Sequence, residues 1–371
     1  MKKFFIFLAS ALMVLASVSC NKDKDKDKDS GDKPFAPQSL DDLTGTVWFA
    51  ETSSKMILFF QGRCSSEMEG FSEYPYYLSY YELASNDKIK TQYTCGVSEL
   101  RDGSVFFTTT RLEMAQRGIV ESSMDYEGKL VGERMDIYPR WEAQDAPSFS
   151  FQLSKDIDPT TLKYAYVPQA VDLGEMTPMY HSPVHILWAS QNLGAVEENG
   201  YGMFYSWGEL DPKLSYHKDN YMYKGTPEEL PADRDVASVR LGDGWRMMTY
   251  IEASALFSTF EDENFSCTFE KRETTDGLKN GWLIKRLTGA QAGNSIFIPM
   301  PGYYKGEVHF NDDITGTSAV STSRTDSDGT FTYRLELSNH PGRPEMGPNR
   351  ISIVNCFDGT PIRPVKDLPT E

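Results

Sequence analysis

The chain is 371 residues long, 13% aromatic and 25% charged, with a formal net charge of -17. That aromatic content excludes a disordered polypeptide, and the acidic balance argues against nucleic acid or an anionic membrane surface as electrostatic partner. The length allows roughly two domains of ordinary size.

Lys2 and Lys3 precede an apolar run over residues 4–18, which ends at small residues and Cys20. A cationic start, a short apolar core and small residues before a cleavage point form the pattern of a secretory signal. The run falls short of the ~20 apolar residues that a transmembrane helix needs. Ser17-Val18-Ser19-Cys20 resembles the lipobox of bacterial lipoproteins, with Ser17 where that family usually has an aliphatic residue. The resemblance implies that residues 1–20 are a lipoprotein signal peptide and that Cys20 carries lipid such as palmitate. The protein is then expected on the outer membrane, anchored through lipid and facing outward. The alternative is an ordinary cleaved signal with a chance cysteine.

Residues 21–38 alternate Lys with Asp and have almost no apolar content, so a solvated tether is expected. This composition resembles the post-cysteine segments of surface-displayed lipoproteins in Bacteroidetes-type bacteria.

The segment 39–157 offers short runs rich in Tyr, Phe, Val, Ile and Thr, broken by Gly and Asp. Examples are Thr46-Val47-Trp48-Phe49, Met56-Ile57-Leu58-Phe59-Phe60, Val105-Phe106-Phe107 and Met135-Asp136-Ile137-Tyr138. Such spacing predicts an antiparallel sandwich or barrel. Only residues 111–117 read as weakly helical. Leu43-Thr44-Gly45-Thr46-Val47-Trp48 resembles the first strand of bacterial lipocalin-like domains, and no ligand is carried over from that short likeness. A junction follows, with Asp158-Pro159-Thr160-Thr161 as a loop. The second domain is expected over residues 166–371.

Three patterns stand out there. Thr249-Tyr250-Ile251-Glu252 is a capping box, and Ile251, Ala255, Leu256 and Phe260 follow at helical spacing, so a helix over 250–260 is expected. In Gly200-Tyr201-Gly202-Met203-Phe204-Tyr205-Ser206-Trp207-Gly208-Glu209, glycines permit tight turns while aromatics either stack on sugars or fill a core. Tyr205, Trp207 and Glu209 are the candidate ligand-binding residues: rings meet the C–H faces of a sugar, and a carboxylate accepts from its hydroxyls. The competing reading is packed aromatics with one structural carboxylate. Ser295-Ile296-Phe297-Ile298-Pro299 reads as a buried strand ended by prolines.

Trp188-Ala189-Ser190-Gln191-Asn192-Leu193-Gly194, Tyr205-Ser206-Trp207-Gly208-Glu209, Gly244-Trp245-Arg246, Ile296-Phe297-Ile298-Pro299 and Pro361-Ile362-Arg363-Pro364-Val365 occur in an order that resembles the Fibrobacter succinogenes major paralogous domain. The resemblance spans residues 167–365. It implies a C-type-lectin-like α+β fold, on exported lipoproteins whose biochemical role is largely undefined; a shared fold gives no function. Departures are Met247-Met248 where the family has Leu-Pro, no Trp near Ser318-Ala319-Val320-Ser321-Thr322, and a longer connection over 175–185.

Four cysteines remain beyond Cys20. Cys64, Cys95, Cys267 and Cys356 fall two to each half, and one bridge per half is the simplest pairing in an exported chain. Other pairings, or free buried thiols, stay open. No zinc, phosphate-loop or serine-hydrolase signature occurs. Asn311, Asp312 and Asp313 offer hard oxygen ligands, but consecutive acids in a turn are usually solvated, so neither metal nor cofactor is expected. The expected function is a non-catalytic, adhesin-like binding module for glycan or a surface protein. The alternatives are a carbohydrate-active hydrolase with an unrecognised carboxylate pair, which only spatial proximity defines, or a structural subunit of a surface assembly such as a pilus tip.

Overall fold

The computed structural model describes residues 35–64, 74–110, 123–141, 145–223, 229–275, 277–310, 317–325, 330–338 and 349–369. The leader, Cys20, most of the tether, the 111–117 segment and Asn311-Asp312-Asp313 lie outside them. The fold is a β-rich α+β arrangement whose strands pair antiparallel.

The first region is a closed eight-stranded barrel. Its strands are β1 (Val47–Glu51), β2 (Lys55–Arg63), β3 (Tyr76–Leu83), β4 (Ile89–Arg101), β5 (Ser104–Thr110), β6 (Ser123–Val131), β7 (Arg134–Pro139) and β8 (Phe149–Ser154). Each pairs with the next, and β8 returns to β1 with Leu153 opposite Trp48. The β4–β5 hairpin turns on Asp102 and Gly103, both at positive φ, which suits a tight two-residue connection between right-twisted strands. Alternate side chains point inward: Trp48, Leu58, Phe60, Leu78, Val97, Phe107, Ile137 and Phe151 fill the interior.

In a barrel that faced water all round, alternate residues would be exposed. Along β2 and β3 they are not: Ile57, Tyr81 and Leu83 face outward yet are buried. They pack with Tyr164, Tyr205, Trp207, Leu210, Leu241 and Trp245 of the second region in one continuous core. Barrel and second region are therefore joined by a shared hydrophobic layer rather than by a loose linker. The connector strengthens the joint, because Ile89 exchanges backbone hydrogen bonds with Lys163 and Ala165, while the Tyr164 amide donates to Arg240 O at 2.7 Å.

The second region is assembled from many short elements. In chain order they are β9 (Ala170–Asp172), β10 (Ile186–Ala189), β11 (Phe204–Tyr205), α1 (Val236–Leu241), β12 (Trp245–Met247), α2 (Tyr250–Ser258), β13 (Phe265–Thr274), β14 (Gly277–Arg286), β15 (Ser295–Pro299), β16 (Tyr303–Lys305), β17 (Val308–Phe310), β18 (Thr317–Thr325), β19 (Phe331–Ser338), β20 (Asn349–Asn355), β21 (Thr360–Pro361) and β22 (Pro364–Asp367). They form sheets in the orders β12-β22-β10-β9, β11-β21, β13-β14-β15, β16-β17 and β18-β19-β20. A second core of Leu173, Trp188, Leu256, Ile284, Ile298, Leu335 and Val365 holds these together.

Helix α2 starts where the capping box predicts. Thr249 Oγ1 accepts from the Glu252 amide at 3.3 Å, and Glu252 accepts from the Thr249 amide at 2.7 Å. Arg246 clamps the same carboxylate with both terminal nitrogens, at 2.8 and 2.6 Å. Strand β15 is buried as its composition suggests.

The expected cysteine pairs do not form: none of Cys64, Cys95, Cys267 and Cys356 is in a disulfide. Cys64 follows β2 and Cys95 lies in β4, with β3 between them. Two strand spacings put those backbones roughly 10 Å apart, beyond disulfide reach. Cys267 and Cys356 belong to different parts of the second region, in β13 and just after β20. Burial pushes the Cys64 and Cys95 thiols up to about 12, which leaves them poor nucleophiles at neutral pH.

Candidate functional site

The stretch from Gly200 to Glu209 is not a ligand-facing surface. Tyr205, Trp207 and Glu209 are only 1%, 2% and 8% exposed. Trp207 Nε1 donates to Thr322 O at 3.1 Å, and the Tyr205 hydroxyl lies 2.9 Å from that of Tyr164. Glu209 accepts from the Met222 amide at 2.5 Å and pairs with the buried Lys213 ammonium at 2.5 Å. The glycines serve this packing. Gly202 and Gly208 sit at positive φ, and a Cβ on Gly208 would run into the Tyr223 ring. These residues cannot reach a ligand, because the barrel wall and the loop after β11 close over them.

The same layer contains a buried polar network that no local pattern announces. Asp211 accepts from Tyr81 at 2.6 Å, Gln92 at 3.0 Å and Arg240 at 2.7 Å. Arg240, fully buried, also donates to the carbonyls of Leu210, Pro159 and Leu162. Gln92 in turn accepts from the Tyr164 hydroxyl at 2.9 Å. Burial opposes the Arg240 charge, but Asp211 and the surrounding tyrosines outweigh it and hold the guanidinium above its ordinary value. The network ties residues from β3, β4, the connector, the loop after β11 and α1 into one joint. Its chemistry is satisfied internally, so it is a structural centre.

The surface does offer a polar cleft of about 200 Å³ between β9–β10 and the β13–β14–β15 sheet. Its rim carries Gln169, Ser190, Glu198, Asn199, Arg272 and Asn294, over a floor that includes Phe297. Several of these groups are held from behind. Ser190 Oγ accepts from the Gln169 amide at 3.2 Å. Asn294 Nδ2 donates to Asp172 O at 2.8 Å. Asp172 is itself fixed by the Gly174 amide at 2.7 Å, Gln291 at 3.2 Å and the His185 ring at 2.8 Å. Partial burial would raise the Asp172 carboxyl, but these hydrogen bonds prevail and keep it below its usual value. Arg272 pairs with Glu270 at 2.5 Å and lies over the Phe297 ring. Beneath the cleft, the fully buried Arg363 joins its two walls by donating to Ala189 O and Phe297 O, each at 2.8 Å. Burial pulls Arg363 down to about 9, with Glu198 on the rim offsetting part of that effect.

One atom in this cleft is unsatisfied. Asn199 Oδ1 is shielded from solvent and has no hydrogen-bond partner. An orphaned acceptor costs about 1–3 kcal/mol unless a donor reaches it. The cleft thus combines amide donors and acceptors, one carboxylate and one guanidinium. Its volume lies below the ~300–1,000 Å³ of drug-sized sites, so it suits one unit of a larger ligand. Sequence reading missed it because its residues come from distant segments, each unremarkable alone. No family model matches the chain, and neither the curated proteins nor the solved structures compared with it give a match.

Proposed function

We propose that the chain is a non-catalytic, adhesin-like binding protein that seats one unit of a glycan in the cleft between Gln169 and Asn294. The observation that carries this is the polar lining of the cleft, where Gln169, Ser190, Glu198, Arg272 and Asn294 surround the Phe297 ring. A sugar presents closely spaced hydroxyls, each able to donate and to accept, and such groups suit Gln169, Ser190, Glu198, Arg272 and Asn294 together. The alternative, glycosidic cleavage, uses a pair of carboxylates, and the residues lining this cleft include one, Glu198.

We further propose a C-type-lectin-like arrangement for the second region. What supports it is that the region begins and ends in one sheet, with β22 between β10 and β12, and packs two short helices against small antiparallel sheets. The order of motifs in the Fibrobacter succinogenes major paralogous domain points the same way. Anchoring through lipidated Cys20 on the outer membrane completes the proposal, on the strength of the leader and the charged tether. Cys20→Ala should release the protein from the membrane fraction; retention there would remove the anchor from the proposal.

The decisive measurement is a glycan array probed with the detergent-solubilised full chain, with calcium and with chelator. Binding is expected, to be lost in Asn199→Leu and Arg272→Ala and retained in Trp207→Phe. Binding indifferent to both cleft substitutions would reject the cleft. Turnover of a bound oligosaccharide would instead establish the hydrolase.

A further inference from the structure

A different surface lies on the loop that follows Gly174. Met176 and Val184 exchange both backbone hydrogen bonds, at 2.9 and 2.9 Å, and so close its neck. Pro178 and Pro183 stiffen the two arms. Between them, Met179, Tyr180, His181 and Ser182 are exposed. Tyr180 is 94% exposed and sits at φ 65°, a left-handed conformation that disfavours a bulky L-residue. The fold thus holds a large ring out in water, in an unfavourable backbone state, with no packing in return. Strain of this kind gathers where the protein engages something else.

The loop is backed by residues from three other elements. The His181 ring meets Tyr250, the first residue of α2, edge-on at 6.3 Å. Tyr250 meets Tyr333 of β19 at 4.9 Å. Tyr333 stands opposite Ile353 of β20, which is 64% exposed. Met179, Tyr180, His181, Tyr250, Tyr333 and Ile353 carry no formal charge with histidine neutral, in a chain that is 25% charged. Contiguous exposed aromatic and apolar side chains mark interaction surfaces, and Tyr and Met are enriched at the centres of protein interfaces.

The geometry selects the class of partner. The ring planes meet at 84° and 57°, so a flat sugar face cannot lie on two of them at once. A projecting Tyr in an uncharged surround fits a concave apolar pocket on a protein, where such a residue acts as an anchor. A second copy of the chain brings the same net charge of -17 and is repelled, whereas a basic rim is attracted.

We propose that this surface docks a protein partner presenting an apolar pocket for Tyr180 within a basic rim. The site is separate from the cleft and does not depend on glycan binding. The test replaces Met179 with photoreactive benzoylphenylalanine in the full chain and irradiates the cells that make it. One adduct with a basic protein, identified by mass spectrometry and weakened by raised salt, is expected. The adduct should disappear in Tyr180→Gly and in Ile353→Glu and persist in Asn199→Leu. Tyr180→Gly should leave Tm equal or higher, because glycine adopts positive φ freely. The proposal is overturned by an adduct between two copies, by an adduct to glycan, by no adduct, by an adduct that survives Tyr180→Gly, or by a lower Tm in that variant.

Discussion

The barrel and the second region solve the same problem by different means. In the barrel, long neighbouring strands satisfy each other's backbone groups around a closed sheet, so the interior is filled mainly by apolar and aromatic side chains. In the second region, several strands are only two to four residues long, and much of the chain between them is irregular. Buried polar side chains then take over the satisfaction of carbonyls and amides. Arg240 serves Leu210, Pro159 and Leu162; Arg363 serves Ala189 and Phe297; Asn220 serves Cys64 and Ser215; Asp235 accepts from the amides of Ser238 and Met247. Irregular backbone can be buried when such residues are spent on it, and those residues are then withdrawn from function. That is why the buried cluster of Asp211, Arg240, Tyr81 and Tyr164 is structural, while the candidate binding groups lie in a modest cleft and on an exposed loop.

If polar side chains hold the second region to the barrel, breaking one should cost at least as much as trimming the barrel itself. Asp211→Ala leaves the Arg240 guanidinium buried without its carboxylate, and should destabilise the protein by about 3–5 kcal/mol in urea unfolding. Adding Arg240→Met should recover part of that loss. A cost below ~1 kcal/mol for Asp211→Ala would show that the shared apolar layer suffices on its own. Inside the barrel, Leu58→Ala should cost about 2–5 kcal/mol, whereas Leu58→Met should cost less than ~1.5 kcal/mol, because apolar packing tolerates a change of shape at constant volume. No equivalent conservative change exists for Asp211, and that asymmetry is the contrast in measurable form.

Smaller effects sharpen the picture at the element ends. Thr249→Ala removes the cap of α2 and should cost about 1 kcal/mol, read as a shift in the urea midpoint. Smallest is the exposed pair at the barrel's open end, where Arg63 and Tyr76 hold the Asp41 carboxyl down to about 2, from an ordinary 3.8. A depressed carboxylate contributes stability above its unfolded value and loses it as the pH falls through the folded value. The difference between wild type and Arg63→Ala should therefore be small at pH 7, shrink with added salt, and vanish as the pH falls from about 4 to about 2. A difference that grew under acid would reverse this assignment.

Local signals in the sequence translated well where they depended on neighbours along the chain. The runs around Val47, Met56, Ser104 and Arg134 became barrel strands because alternation and turn residues act over a few positions. Thr249 with Glu252 started α2 for the same reason. Tyr205, Trp207 and Glu209 show the limit of such reading. A ring beside a carboxylate has the same composition whether it faces a sugar or a core, and only the docking of the barrel's outer face against the loop after β11 decided for the core. The cysteines show it again, since two per half suggested bridges, and strand order separates Cys64 from Cys95 while Cys267 lies in β13 and Cys356 just after β20 of another sheet.

By itself, the sequence determined the β-rich character of the chain, the position of four of the eight barrel strands and the capped helix, through propensity, periodicity and hydrogen bonds between near neighbours. Tertiary structure alone decided that both faces of β2 and β3 are buried, that Asp211 and Arg240 meet, that Asn199 is left without a donor, and that Tyr180 is held out in water. Those outcomes depend on contacts between residues far apart in the chain, and short-range pattern carries no information about which distant surfaces will close on one another.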